Sequence, residues 1–118
     1  MVDEEKIPRI TIDELKKLTD QKTDVMIVDT HPKGLYEKHH IKGAVSIPWA
    51  MLGIAWEDVQ KLPKDKGKLI VTYCDCTDDA SSANIAQELY KLGYDKDKVK
   101  ILAGGSLRWV DLKYPMVK

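Results

Sequence analysis

The side chains of this sequence best suited to covalent chemistry are two cysteines, Cys74 and Cys76, in the segment Tyr73-Cys-Asp-Cys-Thr-Asp-Asp-Ala-Ser-Ser82. A bridge between cysteines two positions apart would close a very small ring in strained geometry, so they read as free thiols rather than as a disulfide framework. A cysteine acts as a nucleophile when its thiolate is stabilised by nearby positive potential. The segment follows the apolar run Leu69-Ile-Val-Thr-Tyr73, which reads as a strand. It precedes a helical pattern from Ser82 to Leu92, with Ala83, Ala86, Leu89 and Tyr90 on one side and Gly93 as the stop. A chain curling from strand to helix turns several backbone N–H groups inward, and the helix start adds the positive end of its dipole. In that arrangement Thr77, Asp78, Asp79, Ala80, Ser81 and Ser82 form a cradle for a bound persulfide or an oxyanion. Cys74 falls at the strand end, whereas Cys76 falls where the chain must turn. The geometry favours Cys76 as the nucleophile and leaves Cys74 as a packed or half-exposed residue beside the pocket. The plainer alternative is that both thiols are structural, because an isolated Cys-x-Cys is a weak signal.

Several elements must position that loop. Residues 1–8 read as a polar lead-in. Thr11 and Glu14 form a capping-box pattern, followed by a helix to about Leu18 with Ile12, Leu15 and Leu18 on one face. Val25 to Asp29 is an apolar run ending in a carboxylate, as in a strand buried on both faces. A short helix is expected around Leu35 and Tyr36, a short strand from Ala44 to Ile47, and a helix from Trp49 to Gln60. Val99 to Leu102 is a further strand, and a helical turn runs through Trp109 and Leu112. Alternating strands and helices predict an α/β fold, a mostly parallel sheet with helices on both faces. In such sheets ligands bind beyond the carboxyl ends of the strands, where the Cys74–Ser81 loop falls.

Composition narrows the function classes. The 118 residues suit a single domain over 1–118, and 43% hydrophobic with 32% charged residues is a globular balance. Nineteen Lys and Arg balance nineteen Asp and Glu, so no net field steers the protein to nucleic acid or to an anionic membrane, and neither is an expected partner. The stretch from Ala44 to Trp56 is too short to span a bilayer. Free thiols and a first segment without an apolar core lead to the expectation of a cytoplasmic, reducing location. His39, His40 and the cysteines lack the spacing of a paired zinc site, so no metal is expected.

Asp29-Thr-His31, His40-Ile-Lys-Gly-Ala-Val-Ser-Ile-Pro48, Tyr73-Cys-Asp-Cys76, Gly104-Gly-Ser-Leu-Arg-Trp109 and Tyr114-Pro115 appear in this order across nearly the whole chain. In this the sequence resembles the rhodanese-like domain family. The resemblance implies a single domain with a central sheet of about five strands, and a nucleophilic cysteine opening a six-residue loop. Counted from Cys76 the loop ends at Ser81, Ser82 takes the serine position common in the family, and Gly93 ends the helix at the usual distance. Counted from Cys74, Ala80 falls in the serine position and the helix is too long. The Tyr-Cys-x-Cys form is similar to a known subtype whose second cysteine is the active one. The implied reaction is sulfur transfer. The Cys76 thiolate takes sulfur from a small-molecule or protein-bound sulfane sulfur donor, becomes a persulfide, and passes the outer sulfur to a thiol or cyanide-type acceptor, with no cofactor.

The sequence departs from the family where charge matters. Arginine or lysine commonly lines this loop, but here it holds Asp78 and Asp79 beside Asp75, which oppose a dianionic donor such as thiosulfate. His31 stands where the family carries arginine, and Leu35 where an acidic partner is common. Arg108 falls near the expected pocket mouth and can restore positive charge there, while His31 reads as a structural residue at a strand end, the alternative being a proton donor or positive partner that faces the loop. His40 reads as a fold residue and His39 as a surface change. A rhodanese-like module that binds a partner without catalysis is the alternative function. A cysteine phosphatase is excluded, since it needs an arginine six residues after the cysteine and positions 80 and 82 are Ala and Ser.

Overall fold

A computed structural model describes residues 7–21, 24–31, 33–48, 56–73, 80–103, 109–114 and 116–117. Its strands are β1 (Arg9–Ile10), β2 (Val25–Asp29), β3 (His40–Ile41), β4 (Val45–Ser46), β5 (Leu69–Tyr73), β6 (Val99–Leu102) and β7 (Met116–Val117). Its helices are α1 (Ile12–Asp20), α2 (Lys33–Lys38), α3 (Trp56–Val59) and α4 (Ala80–Lys91). Five strands pair in parallel in the order β1-β6-β5-β2-β4, and β3 pairs antiparallel with β7 in a separate two-stranded sheet.

The central strands are apolar throughout because both of their faces are covered. Along them, successive residues alternate between two cores. Val28, Ile70, Val99 and Ile101 face a cluster with Ala83, Ile85, Ala86 and Leu89 of α4, against which Val59 of α3 also packs. Ile27, Val71, Tyr73 and Leu102 face a cluster with Ile12 and Leu15 of α1 and with Trp109. One sheet therefore separates two hydrophobic layers, each closed by helix, in line with the α/β reading. Among the described residues no helix is long and apolar enough to cross a membrane.

The predicted spans of β2, β5 and β6 coincide with those observed. Around them the structure differs in detail. Ile7, assigned to a polar lead-in, is only 3% exposed and belongs to the α4-side core, and the neighbouring Pro8 carbonyl accepts the Ile101 N–H at 2.9 Å. Helix α4 begins at Ala80 rather than Ser82, so Ala80 and Ser81 lie in its first turn. Of the helix expected from Trp49 to Gln60, the described part is Trp56–Val59, and residues 49–55 lie outside the described residues. Gly93 stops α4 with φ +96, a conformation glycine adopts without steric penalty.

Helix α1 starts as the capping pattern predicts, with one difference. Thr11 is extended, and its hydroxyl oxygen accepts the Glu14 N–H at 3.1 Å. The Glu14 side chain reaches back to the Thr11 hydroxyl, which donates to Glu14 Oε1 at 3.1 Å. Asp13 and Glu14 in the first turn and Lys17 in the last complement the helix dipole. The helix continues past the predicted end at Leu18 to Asp20, which Lys16 pairs at 2.6 Å. Thr11→Ala removes the cap and is expected to destabilise the protein by about 1 kcal/mol. Urea unfolding followed by circular dichroism checks this, as a lowered midpoint with an unchanged slope.

Candidate functional site

The site region is set by the strand order. From β2 the chain leads outward to β4 on one side, and from β5 it leads through α4 to β6 on the other. The carboxyl ends of the neighbouring strands β2 and β5 thus flank a topological switch point, the place where open parallel sheets generally bind ligands. Asp29 and Tyr73 are register partners at those ends.

Three buried polar side chains meet there. Asp29 has no exposed surface, Tyr73 has none, and His31 is 8% exposed. The Tyr73 hydroxyl donates to Asp29 Oδ2 at 2.8 Å and accepts the Ile41 N–H at 3.0 Å. The His31 backbone N–H donates to Asp29 Oδ1 at 2.8 Å, and His31 Nδ1 lies 2.7 Å from the same oxygen. A carboxylate only accepts hydrogen bonds, so Nδ1 is the protonated ring nitrogen. The His31 and Tyr73 rings meet edge to face, with centroids 6.0 Å apart and planes at 80°. A buried carboxylate left without donors would be strongly unfavourable, and here both oxygens are served.

The chain is pinned on both sides of the cysteine loop. The Tyr73 carbonyl, whose peptide leads into Cys74, accepts the Thr30 N–H at 3.0 Å and the Thr30 hydroxyl at 2.9 Å. On the far side, the Thr72 hydroxyl donates to the Ser82 carbonyl at 3.1 Å, tying the first turn of α4 back to β5. The described residues that flank positions 74–79 are thus both held near the end of β5, and the first-turn N–H groups of any α-helix have no acceptor within the helix itself.

The candidate residues divide accordingly. Cys74, Cys76, Thr77, Asp78, Asp79 and Arg108 lie outside the described residues. Ala80 and Ser81 open α4, and Ser82 is fully buried at the strand–helix junction. His31 is brought to the end of β2, beside Tyr73. His40 is a fold residue, as read from the sequence. It is 7% exposed, its ring stacks on Tyr36 with centroids 3.8 Å apart, and its Nδ1 lies 2.9 Å from the Tyr36 carbonyl. His39 is exposed. Among the described residues no three His, Cys, Asp or Glu side chains gather as a metal site. Sequence reasoning assigned no role to Asp29 or Tyr73. The available signal was that two apolar strands each end in a polar side chain at the same edge of a parallel sheet.

Removing the bridging hydroxyl by Tyr73→Phe leaves the Ile41 N–H without its acceptor and Asp29 short of one donor. The expected loss is about 2–3 kcal/mol of folding stability, read as a lowered urea midpoint. A loss under about 0.5 kcal/mol would show that the hydroxyl is not a structural link.

The model of the Rhodanese-like domain family matches residues 11–112. Among solved structures, a Bacillus halodurans protein aligns with TM-score 0.80 and 25% identity, covering 94% of this chain and 77% of its own. The rhodanese-like domain of an Anabaena protein aligns with TM-score 0.76 and 22% identity, covering 93% and 78%. A thiosulfate sulfurtransferase from Pseudomonas aeruginosa aligns with TM-score 0.73 and 22% identity, over 97% of this chain but 21% of that larger one. The sequence matches no curated protein. With the match running from the capping Thr11 to Leu112 and the parallel sheet shared with these structures, the chain belongs to the rhodanese-like domain family.

Proposed function

We propose that the protein is a sulfurtransferase or persulfide carrier that moves sulfane sulfur through Cys76. The observation that carries this reading is the anchoring of the described residues on either side of positions 74–79. Tyr73 on one side and Ser82 on the other are held to the carboxyl end of β5, at the switch point of a rhodanese-like sheet. Backbone N–H groups at a helix start are suited to hold an anionic sulfur. In the Tyr-Cys-x-Cys arrangement Cys76 is the nucleophile, Thr77 to Ser82 form the cradle, and Cys74 and Arg108 border the pocket. The Cys76 thiolate attacks the outer sulfur of the donor. A new S–S bond forms to Cys76 as the donor's own S–S bond breaks, and a thiol acceptor then takes the outer sulfur.

The carboxylates of Asp75, Asp78 and Asp79 select among donors. They repel thiosulfate, a dianion, and favour an uncharged or protein-bound persulfide. The same three charges favour the second reading, a rhodanese-like module that binds a basic partner without transferring sulfur. A reducing, cytoplasmic location fits the carrier reading, because the thiolate must be regenerated at each turnover.

Intact-mass spectrometry after incubation with an uncharged alkyl persulfide separates the two. The expected result is a gain of one sulfur on the native protein and on Cys74→Ser, and none on Cys76→Ser. No gain with any donor would overturn the carrier reading in favour of the binding module. A second expectation concerns charge. The double variant Asp78→Asn/Asp79→Asn should accept sulfur from thiosulfate several-fold faster than the native protein, and this gain should shrink as salt is raised. Unchanged thiosulfate kinetics would show that these carboxylates do not set donor choice.

A further inference from the structure

Two turns meet at the amino ends of the sheet, away from the Asp29–Tyr73 pair. The chain enters β5 through residues 61–68 and β6 through residues 94–98. The Asp95 N–H donates to the Lys66 carbonyl at 2.9 Å, and the Ile70 N–H donates to the Lys98 carbonyl at 2.9 Å, which fixes the turns side by side. An open groove of about 480 Å³ lies here, and its lining includes Val59, Leu62, Pro63, Lys64, Lys66 and Tyr94. Leu62 and Tyr94 belong to the α4-side core, so the floor of the groove is continuous with the packed interior. The Tyr94 hydroxyl donates to the Pro63 carbonyl and ties the two walls together. Strand β5 rises about 3.3 Å per residue, which sets the groove and Tyr73 at opposite ends of a run of roughly 13 Å.

The rim of the groove carries charge of one sign. Lys64 and Lys66 are exposed, and among the described lining residues they alone are charged. The carboxylates of the surrounding turns are engaged elsewhere. Asp58 pairs with Lys61 at 2.7 Å, and Asp24 pairs with Lys68 at 2.8 Å. Asp65 Oδ1 accepts the Gly67 N–H at 2.9 Å, and Asp95 Oδ1 accepts the Asp97 N–H at 2.8 Å. Neither Asp65, Asp95 nor Asp97 lines the groove. The Lys66 ammonium sits 4.1 Å from the centroid of the Tyr94 ring. Contact with a ring face fixes the place of an ammonium without neutralising its charge, and its remaining N–H donors stay open to an anion. Among the described residues Lys64 pairs with no carboxylate.

An apolar floor under a cationic rim fits a chain that carries both apolar and anionic groups. We propose that this groove docks an acidic segment of a partner protein, with one apolar side chain against Val59, Leu62 and Pro63 and carboxylates on Lys64 and Lys66. The apolar contact supplies affinity, and the complementary charge selects the partner and sets its register. A nucleic-acid strand fits less well. Its bases need an open aromatic face, whereas Tyr94 is 5% exposed and has Lys66 over its ring. Because the groove lies at the amino end of β5, a partner held there leaves the carboxyl ends of β2 and β5 free. Docking is also independent of whether Cys76 carries sulfur.

Fluorescence anisotropy on the full chain tests this, at an ionic strength of about 0.15 M where distant charges are screened. The probes are labelled hexapeptides of glutamate with one central leucine, phenylalanine or tryptophan. Companion peptides carry glutamine for glutamate, serine for the apolar residue, or lysine for glutamate, and a labelled oligothymidylate serves as the nucleic-acid probe. The native protein is expected to bind the acidic apolar peptides in preference to every companion. Lys64→Glu/Lys66→Glu should weaken that binding on the order of tenfold and gain binding to the lysine peptides. That gain shows the variant to be folded. Lys96→Glu/Lys98→Glu makes the same change of net charge at exposed lysines outside the lining, and should weaken binding less than about 3-fold. Equal losses from the two double variants, no reversal with the lysine peptides, or no binding of any acidic peptide by the native protein would overturn the proposal. Oligothymidylate bound as tightly as the peptides would overturn it in favour of a phosphate-binding groove.

Discussion

One buried carboxylate organises this structure. Asp29 closes β2 at the level where Tyr73 closes β5, and donors from Tyr73 and His31 serve its two oxygens. Through the Tyr73 hydroxyl the same group reaches the backbone of Ile41, and Ile41 belongs to the small sheet formed with β7. A single group that cannot be left unsatisfied therefore joins the main sheet, its neighbouring loop and the second sheet. Removing one of its partners is unfavourable twice over, because the contact disappears and the desolvated carboxylate remains. The region where the strands end is thus a well-determined place in the fold, a suitable foundation for a reactive loop.

How much of this could be read from the sequence depended on the length scale of the signal. The strands β2, β5 and β6 were legible because a run of apolar residues between turn formers has few alternatives when both faces are to be buried. The caps of α1 and α4 were legible because Thr11, Glu14 and Gly93 act within a few residues of themselves. The two-residue strands β1, β3 and β7 were not, since a bridge of that length has no period to detect and exists only because a partner strand is already in place. Ile7 was missed for the same reason. It follows a run of charges, and nothing local shows that α4 and β6 build a core for it. The start of α4 was placed two residues late because the apolar spacing begins at Ala83, whereas the backbone turns helical at Ala80.

The site was legible in its chemistry and illegible in its support. Cysteine spacing, the strand before it and the helix after it pointed to the loop, and the ordered motifs pointed to the family that the chain belongs to. The network beneath the loop could not be found in this way, because Tyr73 and Asp29 are 44 residues apart and become partners only through strand register. Histidine in the place of the family's arginine read as a structural residue at a strand end. Against the buried carboxylate it is an oriented imidazole, which is a different chemical object.

The shortness of β1 and β4 has a consequence of another kind. These two-residue strands are the rims of the five-stranded sheet, and each is flanked by a proline, Pro8 before β1 and Pro48 shortly after β4. The long apolar strands, whose sequences would pair readily with copies of themselves, all lie inside. A neighbouring molecule meets only a brief hydrogen-bonding rim interrupted by residues that cannot donate, which is poor seed for intermolecular β-pairing. The strand order that sets a switch point at the centre of the sheet thereby also guards its margins against aggregation.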